Sequence, residues 1–236
     1  MAEIIAFVSG KGGMGKTALC AGVATALASD GMAVLCIDCD DGFGDLDHYL
    51  TMGGSPALTY PEICRGAYPL EQAAEHPTFR KLRFLAAPAK EEFVSQEAFS
   101  AMLVKAKQQF DYILLDNPRH FVTAAQWVVV TKADPAAIRG ARRKADTLEI
   151  LGAGKVGLVV NEAEAKMMAA CKLNVDDIMD AVGLPLLGVV PMDNSVTLAP
   201  IEEKILLSRT KKGAAAAALR ISRRLQGLNV KIPNRL

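Results

Sequence analysis

The sequence predicts an α/β fold: a three-layer α/β/α sandwich around a mainly parallel, twisted sheet. Three observations carry that prediction. Short apolar runs recur along the chain, most of them β-branched or leucine-rich and nearly continuous, as strands buried on both faces are. Helical segments lie between them, and such βα alternation builds parallel sheets. At 236 residues and 51% hydrophobic, the chain can bury one full core.

The first strand is expected at Ile4–Val8, followed by a helix over Lys16–Ser29 and a second strand at Ala33–Ile37. Further strands follow at Leu82–Ala86, Tyr112–Leu115, Trp127–Thr131, Val156–Val160 and Leu187–Val190. Helices are expected at Gln96–Gln109, Ala136–Leu151, Val175–Val182 and around Lys212–Gly227. No repeat or linker breaks the pattern, so residues 1–228 read as a single domain and residues 229–236 as a basic C-terminal tail.

The opening MAEIIAFVSG has no basic region before a long apolar segment, so no signal peptide is expected. No apolar run approaches a bilayer-spanning length. Cys20, Cys36, Cys39, Cys64 and Cys171 are scattered and odd in number, which predicts a reducing, cytoplasmic setting. Cys36 and Cys39 form a lone C-x-x-C and read as two small, semi-buried thiols rather than a metal site.

Open sheets bind ligands beyond the carboxyl ends of their strands. The first such exit carries Gly10-Lys11-Gly12-Gly13-Met14-Gly15-Lys16-Thr17, which satisfies G-x-x-x-x-G-K-[ST] between a strand and a helix. Glycines let the backbone wrap round phosphate oxygens, and the helix N-terminus adds open amides and a positive dipole end. Gly12, Gly13, Met14, Gly15, Lys16, Thr17 and Ala18 are therefore the expected phosphate contacts. Lys16 would reach the terminal phosphates, and Thr17 would ligate Mg²⁺. The run FDYILLDNP reads as a strand delivering Asp116 to the same metal, so ATP and Mg²⁺ are the expected ligands.

Lys11 is not required by that general pattern. SGKGGMGKT resembles the deviant Walker A signature, KGGxGKT, of the MinD/ParA family of P-loop NTPases, nearest its MinD branch. The resemblance implies a nucleotide-sandwiched homodimer in which Lys11 acts on the partner subunit's phosphates, like an arginine finger. VLCIDCDDGFGDLD is similar to the family's switch I, with Asp38 near the metal, Asp40 toward the attacking water and Leu46-Asp47 closing the loop. Asp41 stands where the family usually has an apolar residue. The switch II stretch Asn117-Pro118-Arg119-His120 lacks the family's glycine, which implies altered or weak hydrolysis, and Arg119 and His120 read as an exposed surface pair. By the same resemblance Asn161 meets the edge of the adenine, Pro191 and Asp193 line its other side, and Asp134-Pro135 opens a helix near the dimer face.

The tail separates the readings. No acidic residue follows Glu203, whereas Arg209, Lys211, Lys212, Arg220, Arg223, Arg224, Lys231 and Arg235 do, on a chain of formal net charge +1. Ala214, Ala218, Ile221, Leu225 and Leu228 fall on one helical stripe beside those arginines. A basic amphipathic helix can lie on anionic lipid at the inner face of the membrane. The alanines carry little apolar area, so a helix packed on the sheet is the stronger expectation. The resemblance thus implies an ATPase that switches by dimerising and serves division-site placement, with a protein activator or cargo. The alternatives are a ParA-like or flagellar-placement ATPase, DNA being the weaker partner, and a nucleotide-binding scaffold with little hydrolysis.

Overall fold

The computed structural model describes residues 2–41, 44–53, 57–122 and 125–232. The chain opens with β1 (Glu3–Ser9), α1 (Lys16–Ser29) and β2 (Val34–Asp38), then the short helices α2 (Leu46–Tyr49) and α3 (Tyr60–Cys64). A two-residue strand β3 (Ala74–Glu75) precedes β4 (Leu82–Leu85), α4 (Gln96–Ala106) and β5 (Tyr112–Asp116). The second half runs β6 (Ala125–Thr131), α5 (Pro135–Ile150), β7 (Lys155–Ala163), α6 (Ala165–Ala170), α7 (Val175–Val182) and β8 (Leu186–Pro191). It closes with α8 (Ser195–Ile201), α9 (Leu206–Arg209) and α10 (Gly213–Leu225).

Among the described residues the strands form one sheet in the order β3-β4-β2-β5-β1-β6-β7-β8. Every pairing is parallel except β3 with β4. The side-chain period of two splits the core between two faces. In β1, Ile4, Ala6 and Val8 join one buried cluster with residues of α4, α5 and α7, whereas Ile5 and Phe7 join the other with α1 and α10. This is the expected three-layer sandwich. β1 lies centrally between β5 and β6, so the loop after β1 emerges at the middle of the sheet.

Local chemistry sets the helix starts. Asp134 accepts from the amides of Ala136 and Ala137 at 3.0 and 2.9 Å with Pro135 in the first turn, and Ser95 accepts from Ala98 at 3.2 Å. Asn174 and Asp177 cap each other's amides ahead of α7, and Gly183 ends that helix at a φ of 74°. The predicted strands and long helices match these elements to within a few residues. β3 and the helices of a turn or two were not expected, because they are too short to show a period.

α10 settles the C-terminal stripe. Ala214, Ala218, Ile221 and Leu225 are all buried, packed against α1 and β8, while Leu228 is exposed. Glycines allow the approach: a methyl group on Gly22 of α1 would lie 3.1 Å from the Ala218 methyl, and one on Gly188 of β8 would lie 2.5 Å from Ile221. Arg224 turns back to donate to the carbonyls of Leu186 and Val230, at 3.1 and 2.8 Å, and Ile232 packs on the core. The start of the predicted tail is therefore folded onto the domain; residues 233–236 lie outside the described residues. Among those described, no helix is long and apolar enough to cross a membrane.

Candidate functional site

The loop between β1 and α1 is built by backbone. The Ser9 hydroxyl donates to the Lys11 carbonyl at 2.6 Å, turning the chain as it leaves the strand. Gly10 touches Gly140 of α5 main chain to main chain; a Cβ on Gly10 would fall 2.0 Å from the Gly140 carbonyl carbon. Gly15 precedes α1 at a φ of 81°, and a Cβ there would meet the Asn161 amide nitrogen at 2.1 Å. No side chain caps α1, so the amides of its first turn stay open to an anion. Lys16 is buried at the loop's end, Thr17 is half-buried, and Lys11 is exposed. All the predicted phosphate contacts, Gly12 to Ala18, are thus brought to one turn.

Two carboxylates face this loop from the neighbouring strand ends. Asp38 and Asp116 are register partners on β2 and β5, both fully buried. Asp38 organises its own loop, accepting from the amides of Asp40 at 3.0 Å and Leu46 at 3.1 Å. Burial pushes its carboxyl up to about 6 although those amides pull the other way. Asp116 is less satisfied: neither oxygen has a hydrogen-bond partner among the described residues. Burial pushes it up to about 7, against the pull of the nearby Thr17 hydroxyl and Lys16 ammonium, with the Asp38 charge adding to the rise. A buried, unpartnered carboxylate is a defect unless a cation is meant to sit there. Oxygen donors suit a hard ion, and no cluster of three or more His, Cys, Asp or Glu ligands occurs among the described residues. That donor set fits Mg²⁺, which keeps waters and binds through one or two carboxylates plus phosphate oxygens. Asp40 is half-exposed beside them.

Past Gly15 and Ala18 opens a cavity of about 270 Å³, lined by Asn161, Pro191, Met192 and Asp193 as the resemblance implied. Two of these residues also hold the protein together. The Asn161 side chain donates its amide to the Met14 carbonyl at 2.9 Å, bracing the glycine-rich loop. Asp193 lines the cavity and also has a structural task. Its carboxylate caps two helices, accepting from Ser195 at 2.8 Å and from Ala214 at 2.9 Å, because the chain must turn there into α8 while α10 begins alongside. Burial would raise its pKa, but these amide bonds leave it below the usual carboxylate range. Asp193 thus shapes the cavity wall while joining α8 to α10. Tyr49 of α2, with Ala214 and Ala218 of α10, also lines the cavity and carried no signal in the sequence, since each comes from a distant segment.

Arg119 and His120 are a correction, because they are not a plain surface pair. Arg119 is bonded to Glu91 and lies 3.6 Å from the Asp41 carboxylate, and His120 stacks on Phe99 with ring centroids 4.8 Å apart. Cys36 and Cys39 are fully buried rather than semi-buried, and join clusters on opposite faces of the sheet. Cys36 instead meets Cys20 at 3.7 Å, with all five thiols free.

Residues 5–207 match the family model for the CobQ/CobB/MinD/ParA nucleotide binding domain. The chain is 30% identical to the septum site-determining protein MinD of Synechocystis, over 98% of this chain and 91% of that one. It is 31% identical to the Bacillus subtilis protein of the same name, over the same shares. Among solved structures, the MinC:MinD cell division complex of Aquifex aeolicus superposes with a TM-score of 0.90 at 27% identity, covering 99% of both chains.

Proposed function

The chain belongs to the CobQ/CobB/MinD/ParA family of nucleotide-binding domains, on its MinD branch, and on that footing we propose that it is an ATP-dependent dimerisation switch in division-site placement. The observation that carries this reading is the buried Asp116 carboxylate, without a hydrogen-bond partner among the described residues, facing Lys16, Thr17 and an uncapped helix N-terminus. Backbone amides of Gly12 to Ala18 hold the phosphates, and the Lys16 ammonium reaches between the terminal two. Thr17 and Asp116 would hold Mg²⁺, with Asp38 beside them, and the ion would supply charge neutralisation at the phosphates. Asp40 orients the attacking water, which adds to the γ-phosphorus as the bridge oxygen leaves with ADP. Lys11, exposed on the loop, is free to reach a second copy and neutralise its leaving oxygen. The base occupies the cavity beside Asn161 and Pro191.

The dimer so formed engages a protein partner in the cytoplasm, as the Aquifex protein does MinC. Turnover stays slow until a partner docks, in keeping with the unusual segment after Asp116. Membrane contact through the apolar stripe of α10 is not part of this reading, since α10 would have to leave the sheet. The ParA-like alternative needs a basic tail for DNA: Lys211, Lys212 and Arg223 are exposed, but Arg209 is engaged with Glu202 and Ser195, and Arg224 with main-chain carbonyls. Light scattering with ATP and Mg²⁺ tests the switch: wild type dimerises, and Lys11→Ala binds ATP but stays monomeric. A Lys11→Ala variant that still dimerises would remove the trans role.

A further inference from the structure

Beyond Asp38 and Asp116 the two carboxylate-bearing loops share few ties. The amide of Cys39 donates to the Asp116 carbonyl at 3.0 Å, and that of Asn117 to the Phe7 carbonyl at 2.9 Å. There the ladder ends, and Asn117 takes a left-handed φ of 52° as the chain turns away. Past this point stand Asp41, three residues after Asp38, and Arg119, three residues after Asp116. Asp41 is only 4% exposed. One of its oxygens accepts from the Tyr60 hydroxyl at 2.8 Å. The other is buried without a hydrogen bond among the described residues, facing the Arg119 guanidinium at 3.6 Å. Tyr60 is itself fixed, set edge-on against Phe99 at 5.9 Å, with His120 on the same ring. Glu91 holds the outer side of Arg119.

A buried carboxylate here is costly unless its charge is answered from the facing loop. The loops it joins carry Asp38, Asp40 and Asp116, like charges that push the two strand ends apart. We infer that Asp41 and Arg119 are positioning residues whose ion pair is a strut across the two strand ends, setting where Asp38 and Asp40 stand relative to Asp116. The strut acts through those carboxylates and touches no phosphate. Its kinetic consequence rests on the ATPase reading; its mechanical one does not.

Two measurements on the full chain test it, using Asp41→Asn, Arg119→Gln, the double variant and Arg119→Lys. Arg119 is at the surface, so its variants keep the fold. In amide hydrogen exchange without nucleotide, each single variant speeds exchange about threefold in both loops, 38–41 and 116–119, and the double variant is no faster than the singles. Exchange that changes only in the substituted loop, or that multiplies in the double variant, overturns the strut. In phosphate release, Arg119→Gln loses about tenfold in kcat with KM for ATP within twofold, and Arg119→Lys recovers most of the loss. A loss carried by KM, or equal losses in Gln and Lys, overturns the positioning role. A wild-type chain that releases no phosphate refutes the ATPase reading, and the exchange result then judges the strut alone.

Discussion

The two ends of the nucleotide cleft are made differently. The phosphate end comes from one contiguous turn and is electrostatically unfinished: an uncapped helix, a buried Lys16 and an Asp116 whose oxygens, among the described residues, have no hydrogen-bond partner. The cavity at the other end gathers α2, β7, β8 and α10, and three of its polar side chains already have protein partners. Asn161 is bonded to Met14, Asp193 to two amides, and Glu162 to Lys132 at 2.6 Å. The difference teaches where affinity resides. Unanswered charge at the phosphate end gains most from a ligand, because a desolvated, preorganised site is where electrostatics is strongest. The base end contributes shape, and its side chains chiefly hold protein to protein.

The strongest way to break that contrast is Lys16→Ala. Losing a buried cation that faces phosphate should weaken ATP at least about 100-fold by calorimetry. A loss below tenfold would move the seat of affinity toward the base.

Asp116→Asn sharpens it from the opposite side. Without nucleotide, removing a buried unpartnered charge should stabilise the fold by about 2 kcal/mol in urea unfolding at pH 8. The same variant should lose the extra stability that Mg²⁺ with ADP confers on wild type. An Asn variant less stable than wild type would mean that Asp116 is structurally bonded after all.

The pH dependence follows with its sign. Asp38 and Asp116 sit near 6 and 7 in the folded chain, against 3.8 for an ordinary aspartate. The folded state therefore holds more protons than the unfolded one between about pH 4 and 7, and its stability falls as pH rises through that window. Lowering the pH from 8 to 6 should stabilise the nucleotide-free protein by about 1–2 kcal/mol, and saturating Mg²⁺ with ADP should flatten the trend. A nucleotide-free chain that loses stability over that range contradicts the assignment.

The smallest effect belongs to the base end. Asp193→Ala leaves two helix-start amides without their acceptor and should cost about 1 kcal/mol in unfolding, while ATP affinity stays within about threefold. A large affinity loss with little change in stability would make Asp193 a base contact.

What could be read from the residues divides along the same line. The strand, glycine-rich loop and helix around Lys16 were legible because their chemistry is local. φ values, open amides and the lysine all lie within one turn, and no distant segment is needed to define them. Asp116 was legible for a related reason, an acid closing an apolar strand. The cavity wall was read only in part: Asn161, Pro191 and Asp193 all line it, but Tyr49, Ala214 and the capping role of Asp193 were not visible.

The sequence by itself determined the layers, the phosphate loop and the pair of strand-end aspartates, because hydrophobic period and short-range backbone chemistry act over a few residues. Only the tertiary structure decided that α10 buries its stripe, that Asp193 caps two helices and that Asp41 faces Arg119. Those partners are far apart along the chain, and what brings them together is the order of strands in the sheet, which no local pattern encodes.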